Sequence, residues 1–277
     1  MQRFFRRISQ KLYKLVSIAG KMVYNIFEKV KGGSDMYLYT TNPILIAAAV
    51  IPAIILLVRI YRADRLEKEP TGLLVSLVLL GIISTAIAMA LERLGSGLLR
   101  IFFYENTLPY NAIMYFGIVA YAEEGSKYLL LKKRTWQHPS FDCQFDGVVY
   151  AVFVSLGFAL WENIGYVAIY GLSTALLRAV TAVPGHACFG VFMGLWYGAA
   201  KKYDYQGDAL RARQFRRKAL TLSATLHGAY DFIATLGGLF VLIFFVFVII
   251  LFIAALKTVK NAAANDEYIN EDPPTFF

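Results

Sequence analysis

Seven apolar runs shape this chain, at residues 43–61, 71–91, 111–131, 147–170, 174–198, 215–235 and 237–256. A bilayer's hydrocarbon core is ~30 Å thick and is crossed by about 20 helical residues. No water is present there to satisfy backbone groups, so a spanning segment must make its own hydrogen bonds. The expected fold is therefore all-α, a polytopic transmembrane helix bundle of about seven spans, with the sixth run the weakest. Composition agrees: 58% of residues are apolar and only 17% charged, against about 25% charged in soluble domains. That balance excludes a soluble globular protein, a disordered chain and a nucleic-acid binder. The net charge of +9 is assigned instead to loops beside anionic lipid. Cys143 and Cys188 are too few and too far apart for a disulfide framework or a CxxC metal site.

Three regions are expected. Residues 1–36 form a basic segment in which Phe4, Phe5, Ile8, Leu12, Leu15, Ile18 and Ile26 alternate with lysines and arginines, as in an amphipathic helix lying on a membrane. No uninterrupted apolar stretch precedes Lys21, so no cleavable signal peptide is expected. Residues 37–258 form the transmembrane domain. Residues 259–277 form a polar tail, with disorder expected from 261 onward. The connections after the first, third, fifth and seventh runs carry 16 lysines and arginines, whereas those after the second, fourth and sixth carry essentially Arg93 and Arg100. The basic side is therefore expected to be cytoplasmic. With an odd number of spans the basic N-terminal segment falls on the other face, and the sequence leaves that conflict open.

Ionisable residues inside spans cost ~2.5–3.5 kcal/mol each on insertion scales and are functional candidates by default. This chain has Glu123, Glu124 and Lys127 in the third run, Glu162 in the fourth, Arg178 and His186 in the fifth, and His227 and Asp231 in the sixth. Counted at ~1.5 Å per residue from the basic ends, the two glutamates and His227 lie about 12–15 Å deep, and His186 and Asp231 about 21–22 Å. One polar pocket can hold them all. Glu123 and Lys127 share a helix face at i, i+4, as do His227 and Asp231. A carboxylate beside a histidine is what activation of a water requires. Pro184–Gly185 before His186 is expected to break or bend the fifth helix. Glu162 and Asn163 are expected to pair structurally with Arg178, and Lys127 to neutralise Glu123 or Asp146. His138, Trp136 and Cys143 are read as inert loop residues, and no nucleophile elbow suggests serine chemistry.

Glu123-Glu124-Gly125-Ser126-Lys127, Phe145-Asp146-Gly147, Glu162-Asn163, Arg178 through His186, and His227-Gly228-Ala229-Tyr230-Asp231 occur in that order. Together with Asp64 through Glu69-Pro70, they resemble the PrsW family of intramembrane proteases, relatives of the CAAX prenyl proteases and of bacteriocin-processing membrane proteins. The resemblance covers about residues 43–235. It implies a peptidase that cuts a membrane-anchored protein, such as an anti-sigma factor, in the bilayer of a prokaryotic cytoplasmic membrane. It also implies site roles: Glu123 or Glu124 with His186 would activate water, and His227 would stabilise the oxyanion. Asp231 stands where the prenyl enzymes have Asn, and an ionised Asp cannot donate to an oxyanion, so Asp231 would orient His227. No HExxH or similar close pair occurs, so no cofactor is expected. Zinc is the alternative, on Glu124, His186 and His227. Two rival readings are a prenyl-type or leader-peptide processing protease and a non-enzymatic proton-coupled transporter.

Overall fold

The computed structural model describes residues 43–269, and the expected amphipathic N-terminal helix lies outside them. The described helices are α1 (Pro43–Ala63), α2 (Thr71–Phe102), α3 (Leu108–Ala112), a π-helical segment (Ile113–Val119), α4 (Ala120–Thr135), α5 (Asp146–Tyr170), α6 (Leu172–Val180), α7 (Ala182–Tyr205), α8 (Ala209–Thr235) and α9 (Phe240–Ala264). Among the described residues there are no strands, only an isolated bridge between Cys143 and Tyr268. The protein is an all-α transmembrane bundle. Five stretches are long and apolar enough to cross a membrane: α1, α2, α5, Leu172–Tyr205 and α9. The remaining two long stretches, Leu108–Thr135 and α8, carry much of the charge. Glu123, Glu124 and Lys127 sit in the first, and Arg211 through Lys218 with His227 and Asp231 in the second.

α5 is the axis of the bundle. Every residue from Asp146 to Leu160 is buried, as expected of a helix that is apolar all round. It packs against α7 and α2, and α7 packs in turn against α8. These contacts run through small residues, which let helix backbones approach closely. A Cβ at Gly81 of α2 would sit 2.1 Å from the Val154 carbonyl oxygen, and one at Gly157 2.2 Å from that of Val78. On α7, Gly190, Gly194 and Gly198 recur every four residues. Cβ atoms there would meet Ser155, Gly147 with Val148, and Gln144 respectively, at 2.8 Å or less. Exposed Leu94, Leu98 and Ile101 on α2, and Leu242, Val246 and Ile250 on α9, make an apolar exterior suited to lipid.

Three local features differ from expectation. The second apolar run ends at 91, but α2 continues to Phe102, which brings Glu92 into the helix. The break in the fifth span falls at Thr181, before Pro184. Pro184 is the third residue of α7, where its missing N–H would have no helical acceptor in any case. Disorder does not begin at 261: α9 runs to Ala264, and 265–269 fold back over the α4–α5 loop. The Gln144 N–H donates to the Glu267 carbonyl, the Ile269 N–H to that of Asp142, and the Phe145 N–H to Asp266 Oδ1.

Candidate active site

The first turns of α4 bring together the residues that sequence spacing paired. Lys127 Nζ donates to Glu124 Oε1 at 2.7 Å, one turn back at i−3, and to Glu123 Oε2 at 3.2 Å, at i−4. It also lies 3.3 Å from His186 Nδ1 and 3.9 Å from the centre of the Phe158 ring. All four polar side chains are buried. Lys127 thus offsets both glutamates. Asp146 lies elsewhere, at the N-terminus of α5, where its Oδ2 accepts the Asp142 and Cys143 N–H groups at 3.2 and 2.7 Å.

The two adjacent glutamates have different surroundings because neighbouring helical residues point about 100° apart. Glu124 is fully enclosed: besides Lys127 it accepts the Ser223 hydroxyl on Oε2 at 2.7 Å, and its Oε1 lies 2.9 Å from His227 Nδ1. Glu123 faces a cavity of about 330 Å³ that is also lined by Glu92, Tyr115, Glu162, His186, His227 and Asp231. The other ring nitrogen of His227, Nε2, lies 3.3 Å from Asp231 Oδ2 and 3.8 Å from Glu123 Oε2. The ring stacks on Phe189 with centroids 4.7 Å apart. His227 is therefore held between carboxylates on both nitrogens.

His186 is fixed differently. Its Nε2 is 2.8 Å from Glu162 Oε2, so Nε2 carries the proton and Nδ1 accepts from Lys127. Glu162 also takes Arg178 at 2.7 Å, and Arg178 bonds Asn163, whose amide reaches the Ala49 carbonyl on α1. The pairing of Glu162 and Asn163 with Arg178 is present as expected, and its additional link to His186 ties it to the cavity. Three contributors were not singled out in the sequence. Ser223 and Phe189 have no one-dimensional signal, being small or apolar residues in helices. Glu92 had one, a carboxyl at the edge of an apolar run, which the run's apparent end concealed.

Glu123, Glu124, His186 and His227 each offer one ligand atom, and those atoms all lie within 4.8 Å of one another. Two carboxylates and two imidazoles are a donor set that zinc accepts, so a metal is chemically admissible here. Lys127 already places a positive charge against three of the four.

A model of the PrsW family, described as intramembrane metalloproteases, matches residues 69–256. The chain belongs to the PrsW family. Among curated relatives, Protease PrsW of Oceanobacillus iheyensis is 34% identical over 227 residues, covering 80% of this chain and 97% of the relative. Protease PrsW of Bacillus subtilis is 30% identical over 224 residues, covering 79% and 95%. No solved structure matches. PrsW membership makes the chain an intramembrane protease and an integral membrane protein, which removes the support for a transporter. The stretches 123–127, 162–163, 178–186 and 227–231, whose side chains meet at the cavity, all lie inside the matched region, and zinc remains chemically compatible with Glu123, Glu124, His186 and His227.

Proposed function

We propose that this protein hydrolyses a peptide bond of a membrane-anchored protein substrate, of the anti-sigma-factor type, in the cavity bounded by α2, α4, α5, α7 and α8. The observation that carries this reading is the position of Glu123. It is the carboxylate of the adjacent pair that reaches the cavity, with His227 and Asp231 beside it and Lys127 behind it. Glu123 takes the proton of the attacking water. His186, held in one tautomer by Glu162 and Lys127, lines the cavity beside that water, and its Nδ1 meets the water only by giving up its contact with Lys127. His227 donates from Nε2 to the carbonyl oxygen as it becomes an oxyanion; Glu124 at Nδ1 keeps the ring facing the cavity, and Asp231, which holds the Nε2 proton in the free site, yields it to the oxyanion. Glu124 anchors His227 and Lys127 from below. If an ion binds, Glu124, His186 and His227 would hold it, and it would supply an acidified water and polarise the carbonyl. The bilayer is that of a prokaryotic cytoplasmic membrane. The cavity lies toward the C-terminal end of α8, away from the basic first turns of that helix. Residues 1–36 and 259–277 flank the protease domain proper.

The test is cleavage of a single-span substrate in liposomes by the wild type, Glu123→Gln and Glu124→Gln, with and without chelator. Glu123→Gln should lose at least ~10²-fold in rate, the scale of a removed general base, while remaining folded. Full activity in both Gln variants overturns the reading. Activity lost on chelation and restored by zinc keeps the site but moves Glu124, His186 and His227 into ligand roles. Processing of lipidated substrates alone would favour the prenyl-type alternative.

A further inference from the structure

A second group of carboxylates lies outside the spans, at the basic end of the bundle. Three short segments converge there: the α1–α2 loop with Asp64, Glu67 and Glu69, the α4–α5 loop with Asp142, Cys143 and Asp146, and the strap after α9 with Asp266. Glu67, Asp142, Cys143 and Asp146 each place one ligand atom within 4.8 Å of the others. The Glu69 and Asp146 carboxyls lie within hydrogen-bonding reach of each other, as do those of Glu67 and Asp142. Once ionised, neither member of such a pair can donate to the other.

Several of these groups are buried and lack a donor. Asp64 and Glu69 are each 2% exposed and Asp146 is fully buried. Both carboxyl oxygens of Asp64 and of Glu69, and Oδ1 of Asp142 and of Asp146, have no hydrogen-bond partner among the described residues. Tyr150, which is close to Glu69, gives its hydroxyl proton to the Ser140 carbonyl instead. The nearest cation, Lys68, bonds the backbone carbonyls of Tyr61 and Asp64, and Lys202 pairs with Glu267 at the surface. Buried, unpartnered carboxylates converging from two loops are what a cation would satisfy.

We propose that this loop cluster is a binding site for one divalent cation of the hard, oxygen-preferring class, Ca²⁺ or Mg²⁺, liganded by Glu67, Asp142 and Asp146 with Glu69 and Asp64 completing the oxygen shell. Cys143 is a bystander, because burial pushes its thiol up and oxygen donors outnumber it. The ion joins the α1–α2 loop to the α4–α5 loop and the start of α5, and is separate from the glutamate and histidine set within the membrane.

The test uses the full chain in detergent, stripped with chelator and then titrated with Ca²⁺, Mg²⁺ or Zn²⁺. The readouts are thermal unfolding and equilibrium dialysis. Ca²⁺ or Mg²⁺ should raise Tm and bind at one ion per chain, both in the wild type and in Glu124→Gln. Glu67→Gln/Asp142→Asn should lose the ion-dependent rise. In chelator that double variant should be at least as stable as the wild type, since it relieves carboxylate repulsion, so failure to fold cannot imitate the expected result. The proposal is overturned if no cation shifts the wild-type Tm. It is equally overturned if only Zn²⁺ acts, if the rise survives in the double variant, or if it disappears in Glu124→Gln.

Discussion

His227 has a carboxylate on each side, Glu124 at Nδ1 and Asp231 at Nε2, and their contributions separate by substitution. His227→Ala removes the oxyanion donor and should lower the cleavage rate by ~10²–10³. Asp231→Asn should cost less, because an amide still orients the ring and can itself donate, and Asp231→Ala should fall between them. Rates of the three variants on one reconstituted substrate, at equal amounts of folded protein, check this order. An Asp231→Asn enzyme as inactive as His227→Ala would mean that the charge of Asp231 is needed in the reaction. Glu162 acts one step further away. It holds the Nε2 proton of His186 and the Arg178 guanidinium together. Glu162→Gln should reduce the rate by ~10–100-fold, the usual scale for a group that orients a functional histidine. Because this acts through the tautomer of His186, the pH–rate profile should change shape as well as height. A profile that merely drops uniformly would indicate a structural role.

At the scale of elements, the site depends on how closely α5, α7 and α8 approach. His186 enters from the first turns of α7, directly after the break at Thr181, and the rest of α7 is pinned to α5 by Gly190, Gly194 and Gly198. A Cβ at Gly194 would lie 2.4 Å from the Gly147 carbonyl oxygen and from the Val148 Cα. Both are backbone atoms in a buried helix and cannot turn aside as a side chain could. Gly194→Ala should therefore destabilise by about 1–3 kcal/mol, the range for overpacking. Thermal unfolding in detergent should show a lower midpoint. Gly97→Ala, at an open position on α2 with nothing within 4 Å, is the matched control and should leave the midpoint nearly unchanged. On α8, Gly228 is less tightly constrained, with the Phe116 ring of the π-helical segment 2.8 Å and its Cα 3.0 Å from where a Cβ would be. That contact seats the π-helical segment against the helix that carries His227.

For the whole molecule, the distribution of positive charge orients the bundle. The end of α7 and the start of α8 carry Lys201, Lys202 and Arg211 through Lys218, whereas the α8–α9 turn, Leu236–Leu239, has no charge. The basic face is expected to lie in the cytoplasm. Both native cysteines are buried, so a single added cysteine reports its own location. Gln206→Cys should be protected from a membrane-impermeant maleimide in intact cells, and Leu239→Cys, at a position 83% exposed, should be labelled. The reverse pattern would invert the assigned orientation and place the carboxylate-rich loop cluster outside the cell.

What could be read from the amino-acid sequence was one-dimensional. Apolar runs of spanning length, and the cost of ionisable groups within them, do not depend on which helix lies beside which. They led to an all-α membrane bundle and to Glu123, Glu124, Lys127, His186, His227 and Asp231 as the residues to watch. The i, i+4 pairs Glu123–Lys127 and His227–Asp231 were equally legible, because helical periodicity alone brings them together. Contacts between helices were not. That Glu124 is enclosed while Glu123 reaches the cavity, that Glu162 bonds His186 as well as Arg178, and that Ser223 donates to Glu124 across 99 residues of chain follow from crossing points and rotations set by glycine contacts. The sequence offered Asp64 through Glu69 and Asp146 as parts of the stretches that carry the family resemblance, and gave no sign that they meet one another or Asp142. Tertiary structure alone could bury them together, because the two loops that carry them meet only after α1, α2 and α5 have packed.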